Sequence, residues 1–228
     1  MPLVLDWDLQ FPNPYPSVPP DPVVLPVAFT TPASTLLGGR VTVTFAHSDP
    51  DAIGTVISDV YRNFIVYRGD RTNTFSNPAI IGGLVDPYFL LQVDADELGR
   101  QVSTTWTFSE PVSGLTFRID GIDKGSFSSP VGPFAYTDVV TVTGALGGAT
   151  VLPSLAPVPV APTPATFSVA GNVATGTAFA GTGSSGGNCS VTFPAAVTSL
   201  TITYRPGQAG SGWQFIGVRD LAFTVPGP

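Results

Sequence analysis

Charge is what this chain has least of. Charged residues make up 11% of its 228 positions, less than half the roughly 25% of an average soluble protein. Lysine occurs once, at Lys124, and the other cations are eight scattered arginines. The net charge is −7 and no basic stripe exists. Phosphate neutralisation therefore has no source, and no nucleic-acid partner is expected. A surface so poor in charge must be covered by Thr, Ser, Asn, Gly and Pro, a covering typical of rigid extracellular or assembled proteins.

Residues that carry catalysis are scarce as well. The single histidine is His47, in Ala46-His47-Ser48-Asp49-Pro50-Asp51. Any Ser–His–Asp system would depend on it, and no nucleophile elbow of the form G-x-S-x-G is expected. His47 reads instead as a satisfied turn residue at a strand end. Glu97 and Glu110 are the only glutamates, and no pair among the fourteen aspartates stands out for glycoside hydrolysis. The chain is therefore read as not an enzyme.

Cys189 is the only cysteine, so no disulfide forms within the chain. One His and one Cys also serve zinc poorly. In Asn188-Cys189-Ser190-Val191 the cysteine reads as a small buried residue at the start of a strand. No apolar run approaches the ~18 residues that span a bilayer, and no membrane insertion is expected. Met1-Pro2-Leu3-Val4-Leu5-Asp6-Trp7 has neither the positive n-region nor the apolar h-region of a signal peptide. Two origins fit: a leader replaced by Met, or synthesis in the cytosol for an assembly released later. The expected location is a virion surface or the extracellular space.

Hydrophobic residues, at 43%, are enough for a sizeable core. Residues 1–35 are rich in proline, with Pro12, Pro14, Pro16, Pro19, Pro20, Pro22, Pro26 and Pro32. Proline fixes φ and removes backbone donors, which predicts an extended N-terminal arm with brief pairing near Val23–Phe29. From Arg40 the pattern alternates with period 2. Val41, Val43 and Phe45 share one face, and threonines line the other. Further strands are predicted at Phe64–Tyr67, Tyr88–Val93, Ser103–Phe108, Leu115–Ile119 and Val139–Thr143. Others follow at Thr166–Val169, Val173–Phe179, Ser190–Phe193, Ser199–Tyr204 and Ala222–Val225. Asp51–Asn63 has some helical character. Residues 144–165 carry three glycines and five prolines and read as a loop or linker. Gly181–Gly187 lacks the ending of a phosphate-binding loop and precedes a strand, so it reads as a hairpin tip.

About ten short strands at close spacing make an all-β protein, a jelly-roll-like β-sandwich, as one domain over residues 36–228. Two passages within it repeat without gaps. Trp106–Phe117 (WTFSEPVSGLTF) aligns with Val191–Ile202 (VTFPAAVTSLTI). Each is a strand, a short bend carrying a buried Val, and a second strand. The repeat predicts two equivalent edges of the sandwich facing each other.

The stretch Phe108-Ser109-Glu110-Pro111-Val112-Ser113-Gly114-Leu115-Thr116-Phe117-Arg118-Ile119-Asp120-Gly121-Ile122-Asp123 resembles a segment of bacterial exported surface proteins that runs FS-x-PV-x-x-L-x-F-x-I-x-DID. The likeness continues through 138–143, 171–176, 197–204 and 216–223, and an opening DW matches Asp6-Trp7. It departs at Gly121, where the first Asp of DID usually stands, and in the proline-rich inserts. The resemblance implies an extracellular sandwich, a family of mostly unassigned activity.

No cofactor is required by this reading, but calcium could be held by hard oxygen ligands from Asp120 and Asp123, with Asp6, Asp8 or Asp220 approaching from other strands. Aspartates in turns more often cap backbone amides. Tyr15, Phe75, Tyr88 and Trp213 fall near Gly/Pro/Asn loops and are candidate ligand or interface aromatics. Two functional expectations follow. The first is a structural component of a particle, such as a capsid decoration or virion spike of a phage, whose partners are other subunits in a homo-oligomer. The second is a secreted or surface-attached adhesion module that binds cell-surface carbohydrate, with or without calcium.

Overall fold

A computed structural model describes residues 2–5, 28–30, 41–48, 55–57, 60–62, 82–83, 88–94, 98–129, 132–181, 183–209 and 213–225. Among these lie seventeen strands and no α-helix. They are β1 (Pro2–Leu5), β2 (Ala28–Thr30), β3 (Val43–Ser48), β4 (Thr55–Ile57), β5 (Val60–Arg62), β6 (Phe89–Asp94), β7 (Val102–Asp120), β8 (Lys124–Ser129) and β9 (Gly132–Leu146). After them come β10 (Ala149–Val151), β11 (Ser154–Pro157), β12 (Phe167–Ala170), β13 (Val173–Gly176), a 3₁₀ turn (Ser185–Gly187), β14 (Cys189–Thr192), β15 (Val197–Pro206), β16 (Trp213–Val218) and β17 (Leu221–Thr224).

Fifteen of these strands form one hydrogen-bonded network, and β4 pairs with β5 apart from it. Every pairing is antiparallel. The network makes the two layers of a β-sandwich. One layer runs β2–β3–β7–β15–β9–β13–β12, with β10 added on β9. In the other, β11–β14–β7 continues on the far side of β7 into β17–β1 and β16–β6. The nineteen-residue β7 belongs to both layers.

Alternation explains how one strand serves two layers. Val102, Thr104, Trp106, Phe108 and Val112 of β7 are buried, then the inward set becomes Leu115, Phe117 and Ile119. Even positions give way to odd ones within the bend, where Gly114 takes φ of 61°. Switching layers while still facing the core requires this change of parity, and glycine takes the left-handed conformation without a Cβ penalty. The repeated passage does the same. Val191, Phe193 and Val197 point inward, then Leu200, Ile202 and Tyr204, with the register shift between Val197 and Ser199.

The two repeats do more than face each other, because they pair with one another on both sides of the bend. Phe117 lies opposite Val191, Val112 opposite Val197, and Trp106 opposite Leu200. Residue 106 corresponds to 191 and 117 to 202, so an exact two-fold would set Trp106 opposite Ile202; the register shift sets it opposite Leu200 instead, and the two-fold relation is approximate. The two bend valines, both fully buried, meet across it.

Other expectations need correction. Asp51–Asn63 is not helical where it is described, because Thr55–Ile57 and Val60–Arg62 pair as strands. Their β-branched and aromatic residues favour a pleated surface. Residues 144–165 are not a plain loop. β10 extends β9 and β11 pairs with β14, which carries the chain from one layer to the other. The strands predicted at 103–108 and 115–119 are one bent strand, and the expected count of about ten rises to seventeen. Of residues 1–35, β1 docks on β17 and β2 on β3. The rest of that arm, and the strand predicted at Phe64–Tyr67, lie outside the described residues.

Candidate functional site

The buried carboxylates, Asp120, Asp123 and Asp138, gather where β7 leaves the sandwich. β7 ends at Asp120, and the segment Gly121–Asp123 leads into β8. The Ile122 N–H donates to the Gly187 carbonyl at 3.0 Å, which ties this segment to the 3₁₀ turn. Asp120 and Asp123 flank that tie and do different things.

Asp120 is fully buried and receives two arginines. Arg118 donates through Nε to Oδ1 at 2.6 Å and through Nη2 to Oδ2 at 3.0 Å, and Arg219 donates through Nε to the same Oδ2. A buried carboxylate is tolerated when its lone pairs are filled by charged donors in this way. The Arg219 guanidinium lies 5.2 Å from the centre of the buried Tyr88 ring, a cation–π stack. Gly82, at φ of 63°, sits against the Asp120 side chain and the Asn188 side-chain oxygen, and a Cβ there would strike both. The Asn188 amide donates to the Gly82 carbonyl at 2.9 Å.

Asp123 belongs to a second group. Its backbone N–H donates to the Asp138 carboxyl at 2.9 Å, and its own carboxyl accepts from the Ala180 N–H at 2.7 Å. The Tyr204 hydroxyl donates to the other Asp138 oxygen at 2.6 Å. The Asp123 carboxyl also hydrogen-bonds Tyr136 and the Asp138 carboxyl. Burial pushes Asp123 up to about 6, against the lowering effect of its hydrogen bonds. Burial, followed by the Asp123 charge, holds Asp138 well above the usual carboxylate range. Burial likewise raises both tyrosines. Two carboxyls this close in a dry site share a proton. Gly176 is pressed on the Asp123 carbonyl, so no side chain fits there.

Both groups hold the fold closed. They join β7, β8, β9, β15, the end of β16 and the segment 177–188 through side chains turned inward. Neither resembles the calcium arrangement expected from sequence. Asp120 is engaged by arginines, Asp123 by Ala180, Tyr136 and Asp138. Among the described residues no three His, Cys, Asp or Glu side chains converge as a metal site. Asp220 is half-buried after Arg219 and has interactions of its own. Asp6, Asp8, Tyr15 and Phe75 lie outside the described residues. Tyr88 is no exposed platform, because its ring is buried under Arg219. Trp213 opens β16 opposite Asp94.

The glycine-rich stretch is no hairpin tip. Ser184 caps a 3₁₀ turn whose residues are all buried, and Gly186 and Gly187 press on Pro164 and Ile122 too closely for a Cβ. Gly183-Ser184-Ser185-Gly186-Gly187 does carry the G-x-S-x-G spacing of a nucleophile elbow, contrary to expectation. Its central Ser185 is buried, accepts from the Val160 N–H at 2.8 Å, and leads into a strand instead of a helix. Sequence reading passed over Asp138, Tyr136 and Tyr204. The available signal was an acid set directly against the apolar run Val139-Val140.

A second feature was also legible but unread. Residues 139–204 contain no Asp, Glu, Lys, Arg or His. They build β10 to β14 and most of β9 and β15. Hydroxyls on the outer side of the first layer bond across strands, Ser103 to Thr203 and Thr105 to Thr201, each at 2.8 Å. Along the rim between the layers, Leu152 is 53% exposed, Val158 38% and Val160 68%. Phe179, on the segment held by Asp123, is 65% exposed.

Fold and site together define an all-β sandwich with inward-turned acid networks and an uncharged flank. Compared with known proteins, the chain matches no family model, and no curated protein or solved structure shows significant similarity to it. No helix among the described residues is long and apolar enough to cross a membrane.

Proposed function

We propose that the chain is a non-enzymatic structural protein of a particle or surface assembly, of the kind that decorates a virion. The observation that carries this reading is the uncharged flank. The chain, of net charge −7, carries every Asp, Glu, Lys, Arg and His outside residues 139–204, and leaves aliphatic side chains exposed within that segment. Surfaces without charge and with contiguous apolar groups mark contact faces. The acid networks support the same reading, since their carboxylates are spent on rigidity and turned away from solvent. The resemblance to exported surface proteins fits the setting.

The exposed Phe179 favours a second reading, an adhesion module that stacks neutral sugar on an aromatic ring. Light scattering of the full chain, from micromolar to near-millimolar concentration, separates the two. A defined multi-subunit mass is expected. A monomer throughout overturns the structural reading and makes neutral glycan binding, lost in Phe179→Ala, the reading to test.

A further inference from the structure

We infer that residues 177–181 form a pH-governed latch over the Asp123–Asp138 pair, closed while the two carboxyls hold a proton between them and lifting, with Phe179, to let both ionise. The latch is compatible with either functional reading.

The segment lies on the surface and is fixed at few points. The Thr177 and Ala178 N–H groups share the Thr166 carbonyl at 2.7 and 3.0 Å, and the Ala178 carbonyl accepts from the Lys124 N–H at 2.9 Å. Beyond Ala178 the chain is held by an acid: the Ala180 N–H donates to the Asp123 carboxyl at 2.7 Å. Thr177, Ala178 and Phe179 are all exposed. The Phe179 ring rests on Gly125 beside the Tyr136 hydroxyl, where no Cβ fits. The ring therefore moves with the segment that Asp123 holds.

The pair beneath has no counter-charge. The groups that act on it are Tyr136 and Asp138 from β9, Asp123 itself, and Tyr204 from β15. The latch, of Thr177, Ala178, Phe179, Ala180 and Gly181, brings no charge. Lys124 follows Asp123 but is exposed, and Arg205 follows Tyr204 but donates to the Pro206 carbonyl. Asp120, by contrast, has two arginines. Two ionised carboxyls at Asp123 and Asp138 would face each other unneutralised, and only water could stabilise them. Asp138 is fully buried and Asp123 is 4% exposed. The exposed segment is the cover whose removal disturbs no strand. Lifting it hydrates the pair and returns both acids toward the ordinary carboxylate range, so opening releases protons that the closed state holds. Opening is therefore favoured as pH rises, about tenfold per pH unit for each proton released.

Native-state hydrogen exchange of the full chain, read by NMR and corrected for the pH dependence of unprotected amides, tests this at three positions. Ala180 reports the latch. Thr163, which donates to the Val160 carbonyl, reports local opening away from the pair. Ile202, fully buried in β15, reports global unfolding. Between pH 5 and 7 protection at Ala180 is expected to fall at least about a hundredfold, while Thr163 changes less than about threefold. Ala180 should stay at least about tenfold less protected than Ile202 at each pH, because the latch opens without unfolding the sandwich. In Asp123→Asn, which keeps an acceptor for Ala180 but removes one proton from the pair, the fall should shrink by about tenfold. Protection at Ala180 that is independent of pH overturns the latch, as does an Asp123→Asn fall as steep as wild type. An Ala180 amide as protected as Ile202, or a fall shared equally by Thr163, overturns it too, because the opening is then not confined to this segment.

Discussion

Raising the pH from 4 to 7 should weaken this protein, because the Asp123–Asp138 pair makes the native state hold a proton that the unfolded chain releases. The direction follows from the raised acid. Below pH 3.8 native and unfolded chains both carry the Asp123 proton, and its stabilising contribution is complete. As pH rises the unfolded chain ionises first, and by about pH 6 the native carboxyl ionises too, so the contribution is gone. From 3.8 to about 6, at about 1.4 kcal/mol per pH unit, the loss is roughly 3 kcal/mol. Asp138, raised further, acts with the same sign and extends the decline upward. For a chain of this length that loss lowers the melting temperature by about 6–12 °C. The assay is urea unfolding at constant ionic strength and several pH values, followed by the fluorescence of the buried Trp106. In Asp123→Asn the amide oxygen still accepts from Ala180, but one titrating group is gone, and the decline should shrink to the part carried by Asp138. Wild-type stability that is flat or rising between pH 4 and 7 would refute the reasoning, as would an equal decline in the variant.

Three further outcomes follow from the same region. Gly176→Ala places a methyl group on the Asp123 carbonyl, so a loss of about 3 kcal/mol or more is expected in urea unfolding; a midpoint close to wild type would contradict that contact. Arg219→Ala strips the buried Asp120 of one of its two arginines and should cost about 3 kcal/mol or more, against a loss under about 1 kcal/mol if Arg118 alone suffices. The Cys189 thiol is buried and pushed up to about 12. It should resist Ellman's reagent at pH 8 until the protein is unfolded, and rapid native labelling would show the strand pair β11–β14 to be open.

Strands were legible in this sequence because their alternation is strong. Val102 to Phe108 and Leu200 to Tyr204 each write the inward face in every second residue. The gapless repeat also foretold a paired relation, though not that the two copies are hydrogen-bonded to each other. What stayed hidden depends on distance in the chain. Asp138 and Tyr204 are 66 residues apart, and no local pattern states that they touch. Asp120 suggested a cation ligand because one of its two arginine partners, Arg219, lies 99 residues on, and a strand's alternation does not say that Arg118, two residues back, turns to it. The rim misled for a different reason: prolines and glycines read as a break in structure, and an edge strand uses the same residues to stay unpaired. The G-x-S-x-G string at Gly183–Gly187 was overlooked, and its spacing alone would have said nothing about whether the serine is buried.

The central position of β7 has a consequence for how this protein is made. On one side β7 finds β3, already synthesised, but its other partners β14, β15, β16 and β17 all come later in the chain. The bonds that complete it span 75 residues at Thr116 and 100 at Ser103. A ribosome adding about 5–20 residues per second leaves that strand half-paired for roughly 4–20 seconds. Meanwhile the local hairpins β8–β9 and β12–β13 can close, but neither covers it. A nineteen-residue strand waiting with Trp106, Leu115 and Phe117 uncovered is where a nascent chain meets its neighbours first. High expression should therefore drive this protein into aggregates through β7 during synthesis, long before the finished sandwich is at risk, and slower translation or a chaperone that holds extended apolar segments should restore the soluble yield.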